Sequence, residues 1–248
     1  MLGLGVGFYG LGGSDIISKT SPTGIAGSNL ALWLQFNTGI TSNESDQVSK
    51  WNDQSGNDRH ATQGVDINKA TLSNGALDFE SSESDHYDLA SQITISSGGG
   101  FCIAAVVELE SQTGTLLSKT ANDAFSFLDG TTFRFKSSTT STTTDFVFES
   151  GTFPTGSKML ILLNRTAGGS NVFTIFKNGT KLTPDTDLSS NEADSENPFG
   201  FSINVLGSSA GTSQFFDGKV YDVAFWNTPL STQQIVDVNN YFIEIHNL

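Results

Sequence analysis

The chain alternates short apolar segments with polar turns rich in Gly, Ser, Asn and Asp. From residue 29 onward, a strand-like segment recurs roughly every 10–15 residues, which is typical of an all-β sandwich. The longest apolar segment, residues 100–110, predicts a central strand. The predicted strands are residues 30–36, 76–79, 87–89, 100–110, 115–119, 124–128, 132–136, 145–149, 158–163, 172–176, 180–182, 199–206 and 218–226. Residues 137–144 and 183–198 are predicted to be loops.

One amphipathic helix is predicted at the end of this pattern, from Ser231 to about His246. Ser231 and Gln234 match the Ser-x-x-Gln capping box that begins many helices. The predicted apolar face consists of Ile235, Val238, Phe242 and Ile245. Because this stripe is narrow, we expect the helix to close the sandwich rather than to bind a partner.

Composition and charge narrow the classes of function. Of 248 residues, 36% are hydrophobic and 15% are charged, with 26 Gly and 19 Phe, which favours tight turns and a Phe-filled core. The net charge of −14 argues against binding to nucleic acid or to an anionic membrane surface, and no apolar stretch is long enough to predict insertion into a membrane. The single cysteine, Cys102, lies in an apolar segment and is expected to be buried, and one cysteine excludes an internal disulfide.

The first 28 residues differ in composition from the rest of the chain. Residues 1–13 form a Gly-rich arm and residues 14–28 a connector, so we divide the chain into residues 1–28 and one sandwich domain, residues 29–248. The apolar start has no positively charged n-region and no usual cleavage site, so a signal peptide is not predicted. The arm is interpreted as an anchor that is pinned against a partner such as another subunit.

Several stretches together resemble a known superfamily. They are Leu30-Ala-Leu-Trp-Leu34, Val48-Ser-Lys-Trp-Asn-Asp-Gln-Ser-Gly-Asn57, Leu77-Asp-Phe79 with Asp85-His-Tyr-Asp-Leu89, Lys177-Asn-Gly179, and Phe216 to Asn227 followed by Leu230-Ser231. Over residues 29–248 the chain resembles the concanavalin A-like lectin/glucanase superfamily, in its laminin-G-like and pentraxin-like branch. The resemblance implies an antiparallel jelly-roll β-sandwich with one C-terminal helix. It also extends to proteins displayed on tailed-phage particles.

Some members of the superfamily that the chain resembles hydrolyse glycans with paired carboxylates. Glu192-Ala-Asp194-Ser-Glu196 and Glu83-Ser-Asp85-His-Tyr-Asp88 come close to the required spacing. Both lie in polar segments that are interpreted as solvated loops, where a carboxyl pKa is difficult to raise. The chain is therefore predicted to have no catalytic residues and not to be an enzyme.

Calcium is the ligand that the resemblance favours most, since related folds often hold one at the rim of the sandwich. The candidate ligands are Asp53, Asn57, Asp58, Asp85 and Asp88. The alternative is that these side chains cap turns, as Asp and Asn often do. For sugar binding, Trp33, Trp51 and Trp226 are expected to be core residues, which leaves a carbohydrate site without a location.

The leading hypothesis is a non-catalytic structural or adhesive virion protein, either a capsid decoration or a fibre module of a tailed phage. Its arm, residues 1–13, would attach to other virion proteins, and its sandwich would lie at the virion surface after synthesis in the host cytoplasm. The alternative is a lectin-like protein that binds host surface glycans, with or without calcium. Either hypothesis is compatible with a homo-oligomer.

Overall fold

The computed structural model describes residues 20–137, 142–167, 173–185 and 200–248, with the side chains of residues 142–144 outside this description. The strands are β1 (Leu30–Leu34), β2 (Ile40–Ser42), β3 (Val48–Trp51), β4 (Ala61–Thr62), β5 (Thr71–Ser73), β6 (Ala76–Phe79), β7 (Tyr87–Ile95), β8 (Phe101–Leu109), β9 (Gly114–Thr120), β10 (Asp123–Phe127), β11 (Thr132–Ser137), β12 (Thr142–Val147), β13 (Lys158–Arg165), β14 (Phe173–Lys177), β15 (Thr180–Leu182), β16 (Phe201–Leu206) and β17 (Gly218–Trp226). One helix, α1 (Thr232–His246), follows them. No described helix is long and apolar enough to cross a membrane.

The described strands form two antiparallel sheets. Sheet I has the order β15-β14-β13-β8-β17-β6-β5, with β1 also paired to β17. Sheet II has the order β12-β11-β10-β9-β16-β7-β4-β3-β2. Strand β8 lies between β13 and β17, so the prediction that residues 100–110 contain a central strand is confirmed. The predicted sandwich is likewise confirmed.

Phenylalanine rings fill the space between the two sheets. Phe101 of sheet I lies 4.8 Å from Phe201 and 5.7 Å from Phe125, both of sheet II, measured between ring centroids. Such edge-to-face contacts add to the hydrophobic stabilisation that comes from burying the rings. The alternation of strand side chains that places these rings inside must therefore place their neighbours on the outer faces.

Helix α1 covers the outer face of sheet I. The apolar residues beneath it include Cys102, Ala104, Val106, Leu160, Leu162, Ala224 and Trp226, and the buried helix residues are Ile235, Val238, Asn239, Phe242 and His246. Ser231 and Gln234 form the predicted capping box. Cys102 and the three tryptophans are buried, as predicted.

The prediction that Ile245 belongs to the buried helix face is wrong, because its surface is 48% exposed and His246 is buried instead. At about 100° per residue, the eleven positions from Ile235 to His246 return to within roughly 20° of the same direction. Ile245 comes one residue before His246, about 100° away from it around the helix, so its side chain points away from the buried face. The Nε2 atom of His246 lies 2.7 Å from a carboxylate oxygen of buried Asp222.

Several other sequence-based expectations are changed by the structure or concern residues that it does not describe. Strand β7 continues to Ile95 beyond the predicted residues 87–89, and β12 begins at Thr142, inside the predicted loop 137–144. Ile25 of the connector is buried and accepts a hydrogen bond from the Trp226 indole at 2.9 Å. The arm, residues 1–13, and most of the predicted loop 183–198 lie outside the described residues, and the division into two segments stays a prediction.

Candidate functional site

A loop of residues 207–216 folds back over the outer face of sheet II. Gly207 begins it with φ +87°, where a Cβ atom would lie 2.4 Å from the Phe79 ring, so only glycine fits. The Phe216 amide closes the loop by donating to the Gly207 carbonyl at 2.8 Å. The Ser118 hydroxyl donates to the Ser208 carbonyl at 2.6 Å. The 207–216 loop is therefore tied to the sheet and already shaped.

The 207–216 loop forms one wall of a groove of about 330 Å³. The lining residues are Thr113, Gly114, Thr115, Ser126, Phe127, Leu128, Gln214 and Phe215. The hydroxyls of Thr115 and Ser126 hydrogen-bond at 2.9 Å across β9 and β10, and both face outward because Phe125 and Phe127 point into the core.

Gln214 and Phe215 form the wall of this groove. Gln214 has φ +47°, a left-handed conformation that is uncommon for a residue other than Gly, Asn or Asp. Its carbonyl accepts from the Thr115 amide at 2.9 Å, which holds the strained residue in place. The half-exposed Phe215 ring lies 5.9 Å from the His86 ring. Strain of this kind is concentrated at binding sites more often than elsewhere.

A polar row continues from the groove across sheet II. Ser126 is paired in register with Arg134 of β11, and Arg134 is paired with Asp145 of β12. Arg134 Nε and Nη2 donate to the two carboxylate oxygens of Asp145 at 2.5 Å and 2.6 Å. This bidentate pair raises the pKa of Arg134. We call Thr115, Ser126, Arg134 and Asp145 the polar row.

An acidic cluster lies near the start of the groove. Ligand atoms of Asp78, Glu80 and Glu110 lie within 4.8 Å of one another, and in the described part of the chain no other three carboxylate, imidazole or thiol groups converge in this way. The Lys219 ammonium lies 2.5 Å from Glu110 and 3.4 Å from Asp78. Burial raises the pKa of Asp78 despite this ammonium. The three residues could hold a cation, and Lys219 already supplies one positive charge there.

The predicted calcium ligands are Asp53, Asn57, Asp58, Asp85 and Asp88. No three of the four aspartates among them come within 4.8 Å of one another. The Asp53 carboxylate accepts from the amides of Trp33, Ser55 and Arg59, which is the turn-capping alternative.

The other four predicted ligands also have separate environments. The Asn57 amide donates to the Leu30 carbonyl at 2.8 Å. Asp58 and Asp88 are exposed. Asp85 is buried in the turn before β7, and burial raises the pKa of Asp85 to about 6. Calcium binding by these residues stays a prediction.

None of the residues considered for catalysis is among the described residues that line the groove. Glu192, Asp194 and Glu196 lie outside the described residues. Glu83 is exposed, and the Asp85 carboxylate accepts from the Glu80 amide at 2.8 Å. None of the described residues that line the groove is a carboxylate.

The groove residues were not found from the sequence. Thr115, Ser126 and Gln214 come from three separate segments, and only strand register brings them together. One signal was available. Residues 207–214, Gly-Ser-Ser-Ala-Gly-Thr-Ser-Gln, form a long polar turn between two apolar strands and end on two phenylalanines.

The two antiparallel sheets, with helix α1 after the last strand, define a jelly-roll β-sandwich. The family model described as the concanavalin A-like lectin/glucanases superfamily matches residues 81–236, more than half of the chain. The protein therefore belongs to that superfamily. A comparison with curated proteins gave no match.

Two solved structures illustrate the fold. The chain is similar to domain 4 of AbnA, a GH43 extracellular arabinanase from Geobacillus stearothermophilus, in complex with arabinotriose. The identity is 18% and the TM-score 0.55, with 85% of this chain and 98% of that domain covered. It is also similar to the receptor binding domain of botulinum neurotoxin D, at 14% identity and a TM-score of 0.57. There 87% of this chain is covered, and it spans only 53% of the toxin domain.

Proposed function

We propose that this protein is a non-catalytic glycan-binding sandwich that holds an oligosaccharide in the groove beside the 207–216 loop. The observation that carries this proposal is the placement of the Phe215 ring beside the exposed side chains of Thr113 and Gln214. The hydroxyls of Thr115 and Ser126 are buried in the same lining and hydrogen-bond to each other at 2.9 Å. Glycans present apolar ring faces together with hydroxyl groups. A binding site for them needs an aromatic surface with a few fixed polar groups, and this groove has both.

The preformed loop supports the same proposal. Because Ser118 and Thr115 tie the 207–216 loop to sheet II, little conformational entropy would be lost when a ligand binds. The similar AbnA domain was solved with arabinotriose, which makes arabino-oligosaccharides a reasonable first probe. Binding without hydrolysis fits a described groove lining that has no pair of carboxylates.

The proposal can be tested with a glycan array, followed by calorimetric titration of the strongest glycans. Phe215→Ala should weaken binding at least about tenfold, equivalent to about 1.4 kcal/mol. The matched control is Phe36→Ala, which removes a half-buried ring that packs against Tyr221 and His246 on the helix side. Gln214→Ala should also weaken binding, whereas Gln233→Ala on the exposed side of α1 should not.

Two outcomes would contradict the proposal: an array without any bound glycan, or equal affinities for Phe215→Ala and wild type. Repeating the titration with a chelator separates calcium-dependent from calcium-independent binding. Release of product sugars during the titration would contradict the non-catalytic part alone.

We further infer that the sandwich is displayed on a tailed-phage particle, as a capsid decoration or fibre module attached through residues 1–13. This inference is supported by the resemblance to particle-displayed proteins and by the acidic, polar composition. Deletion of residues 1–13 should leave a folded sandwich that binds glycans and no longer attaches to the particle. Normal attachment of the truncated protein, measured by co-sedimentation with particles, would contradict it.

A further inference from the structure

We infer that the groove and the polar row take a linear, electrically neutral oligosaccharide and discriminate against anionic glycans. This inference rests on the proposed function of the groove and adds the class of its ligand. The described lining residues are Thr, Ser, Gly, Gln, Leu and Phe, so none of them offers an ammonium, guanidinium or imidazole group to a glycan carboxylate. The His86 imidazole, 5.9 Å from the Phe215 ring, is outside this lining, and its Nδ1 lies 2.8 Å from the Ser84 carbonyl. Hydroxyls and amides both donate and accept, which suits the hydroxyls of a neutral sugar.

Carboxylates flank the groove along the chain. Glu110 stands three residues before Thr113, Asp217 stands two residues after Phe215, and the Glu110 amide donates to the Asp217 carbonyl at 2.9 Å. Asp129 follows the lining residue Leu128 directly. Hydrogen bonds from Thr131 lower the pKa of Asp129, so it is ionised at neutral pH. An anionic ligand would therefore approach like charges.

Two cations, Lys219 beside the acidic cluster and Arg134 in the polar row, are already paired with carboxylates. Lys219 contacts both Glu110 and Asp78, and the hydrogen bond to Glu110 raises the pKa of Lys219. The Arg134 guanidinium uses Nε and Nη2 for Asp145. A glycan carboxylate that approached Arg134 would have to displace the Asp145 carboxylate, whereas a sugar hydroxyl could accept from Nη1 and leave the pair intact.

The polar row sets the direction and length of the ligand. Thr115, Ser126, Arg134 and Asp145 occupy successive strands β9, β10, β11 and β12 in register. Neighbouring strands are about 4.8 Å apart, so the row extends over roughly 14 Å. A chain of sugar rings that begins against Phe215 can follow this row across the strands. A linear oligosaccharide therefore fits better than a single sugar.

The experiment uses matched pairs of glycans. Each neutral linear oligosaccharide of the array is printed beside the same oligosaccharide oxidised to carboxylates at its primary hydroxyls, and beside the methyl ester of that oxidised form. The neutral form and the neutral ester should bind, and the free carboxylate should bind at least about tenfold more weakly at low ionic strength. Raising the salt concentration should reduce this difference, because the repelling charges are near the surface.

A charge variant makes the test sharper. Asp145→Asn removes the anion that occupies Arg134 and should narrow the difference between neutral and oxidised glycans. Glu44→Gln removes an exposed carboxylate that belongs neither to the groove lining, nor to the polar row, nor to the predicted calcium ligands, and is the matched control.

The results distinguish a failure of the inferred neutral selectivity from a failure of the proposed glycan binding. If oxidised glycans bind as tightly as neutral ones and Phe215→Ala abolishes both, the groove binds glycans and the inference of neutral selectivity is wrong. Equal binding of monosaccharides and linear trisaccharides would contradict the extended ligand. If no glycan of either kind binds, the proposed function itself fails.

Discussion

The two outer faces of this sandwich have the same strand geometry and opposite chemistry. On sheet I, the outward positions of β8, β13 and β17 include Ala, Cys, Val, Leu and Trp side chains that α1 buries. On sheet II, outward positions of β9, β10 and β11 include Thr115, Ser126 and Arg134, of which Thr115 and Ser126 are buried and Arg134 is half-exposed. One face therefore contributes to stability through apolar packing, and the other is the face for which we propose a ligand.

Two buried aspartates, Asp222 and Asp85, differ in how fully their carboxylate oxygens are hydrogen-bonded. Asp222, beneath α1, accepts from the Trp33 indole at 3.0 Å through one oxygen, and its other oxygen lies 2.7 Å from His246. Asp85, in the turn that precedes β7 on the groove side, accepts from the Glu80 amide through Oδ2, and its buried Oδ1 has no hydrogen-bond partner. An unsatisfied buried carboxylate lowers stability. Asp222 is thus hydrogen-bonded through both of its oxygens, whereas Asp85 retains one unsatisfied oxygen.

The largest expected effect is a loss of stability when the packing of α1 on sheet I is disrupted. Phe242 is fully buried between α1 and the sheet, so Phe242→Ala should lower the free energy of unfolding by about 3–5 kcal/mol. Its control is Val236→Ala, which shortens an exposed residue of the same helix. Denaturant unfolding measures both variants. Glycan affinity of the folded Phe242→Ala protein should be unchanged, because the groove lies on the other face.

This substitution also tests the role of the helix. If Phe242→Ala unfolded like wild type and yet failed to assemble into particles, α1 would be an interface element. The contrast between a stabilising face and a ligand-binding face would then have to be abandoned.

The sequence predicted best those strands that are buried on both sides. Strands β8 and β17 contain long apolar runs, because one side packs against sheet II and the other against α1. Strands β2 and β5 were missed, since most of their three residues are exposed or half-exposed and leave little hydrophobic pattern. The extension of β7 through Ser91 and Gln92 was missed for the same reason.

The candidate site was harder to predict than the fold. Asp53 and Asn57 stand in a segment that resembles a family motif, yet their polar atoms hold the loop to the backbone of β1. Gln214 meets Thr115 only because β9 pairs with β16, which places the 207–216 loop beside it. Neither set of contacts can be predicted from the spacing of these residues along the chain. Register and side-chain hydrogen bonding had to be seen in the structure.

A smaller effect on the free energy of unfolding is expected from Asp85, and this effect depends on pH. Burial raises the pKa of Asp85 in the folded protein from about 3.8 to about 6. A raised pKa means that folding favours the protonated form, so this contribution to stability is fully present below pH of about 4 and is lost as pH rises through about 6.

Asn cannot ionise and can keep the hydrogen bond from the Glu80 amide. Relative to wild type, Asp85→Asn should therefore gain on the order of 3 kcal/mol between acidic and neutral pH, since the pKa of Asp85 rises from about 3.8 to about 6. Its unpaired NH₂ group lowers stability equally at every pH and does not change this gain. Denaturant unfolding of wild type, Asp85→Asn and the exposed control Asp88→Asn across this range measures the difference. Parallel curves for wild type and Asp85→Asn would show that the Asp85 carboxylate is not destabilised by burial, and the contrast between Asp85 and Asp222 would then have to be abandoned.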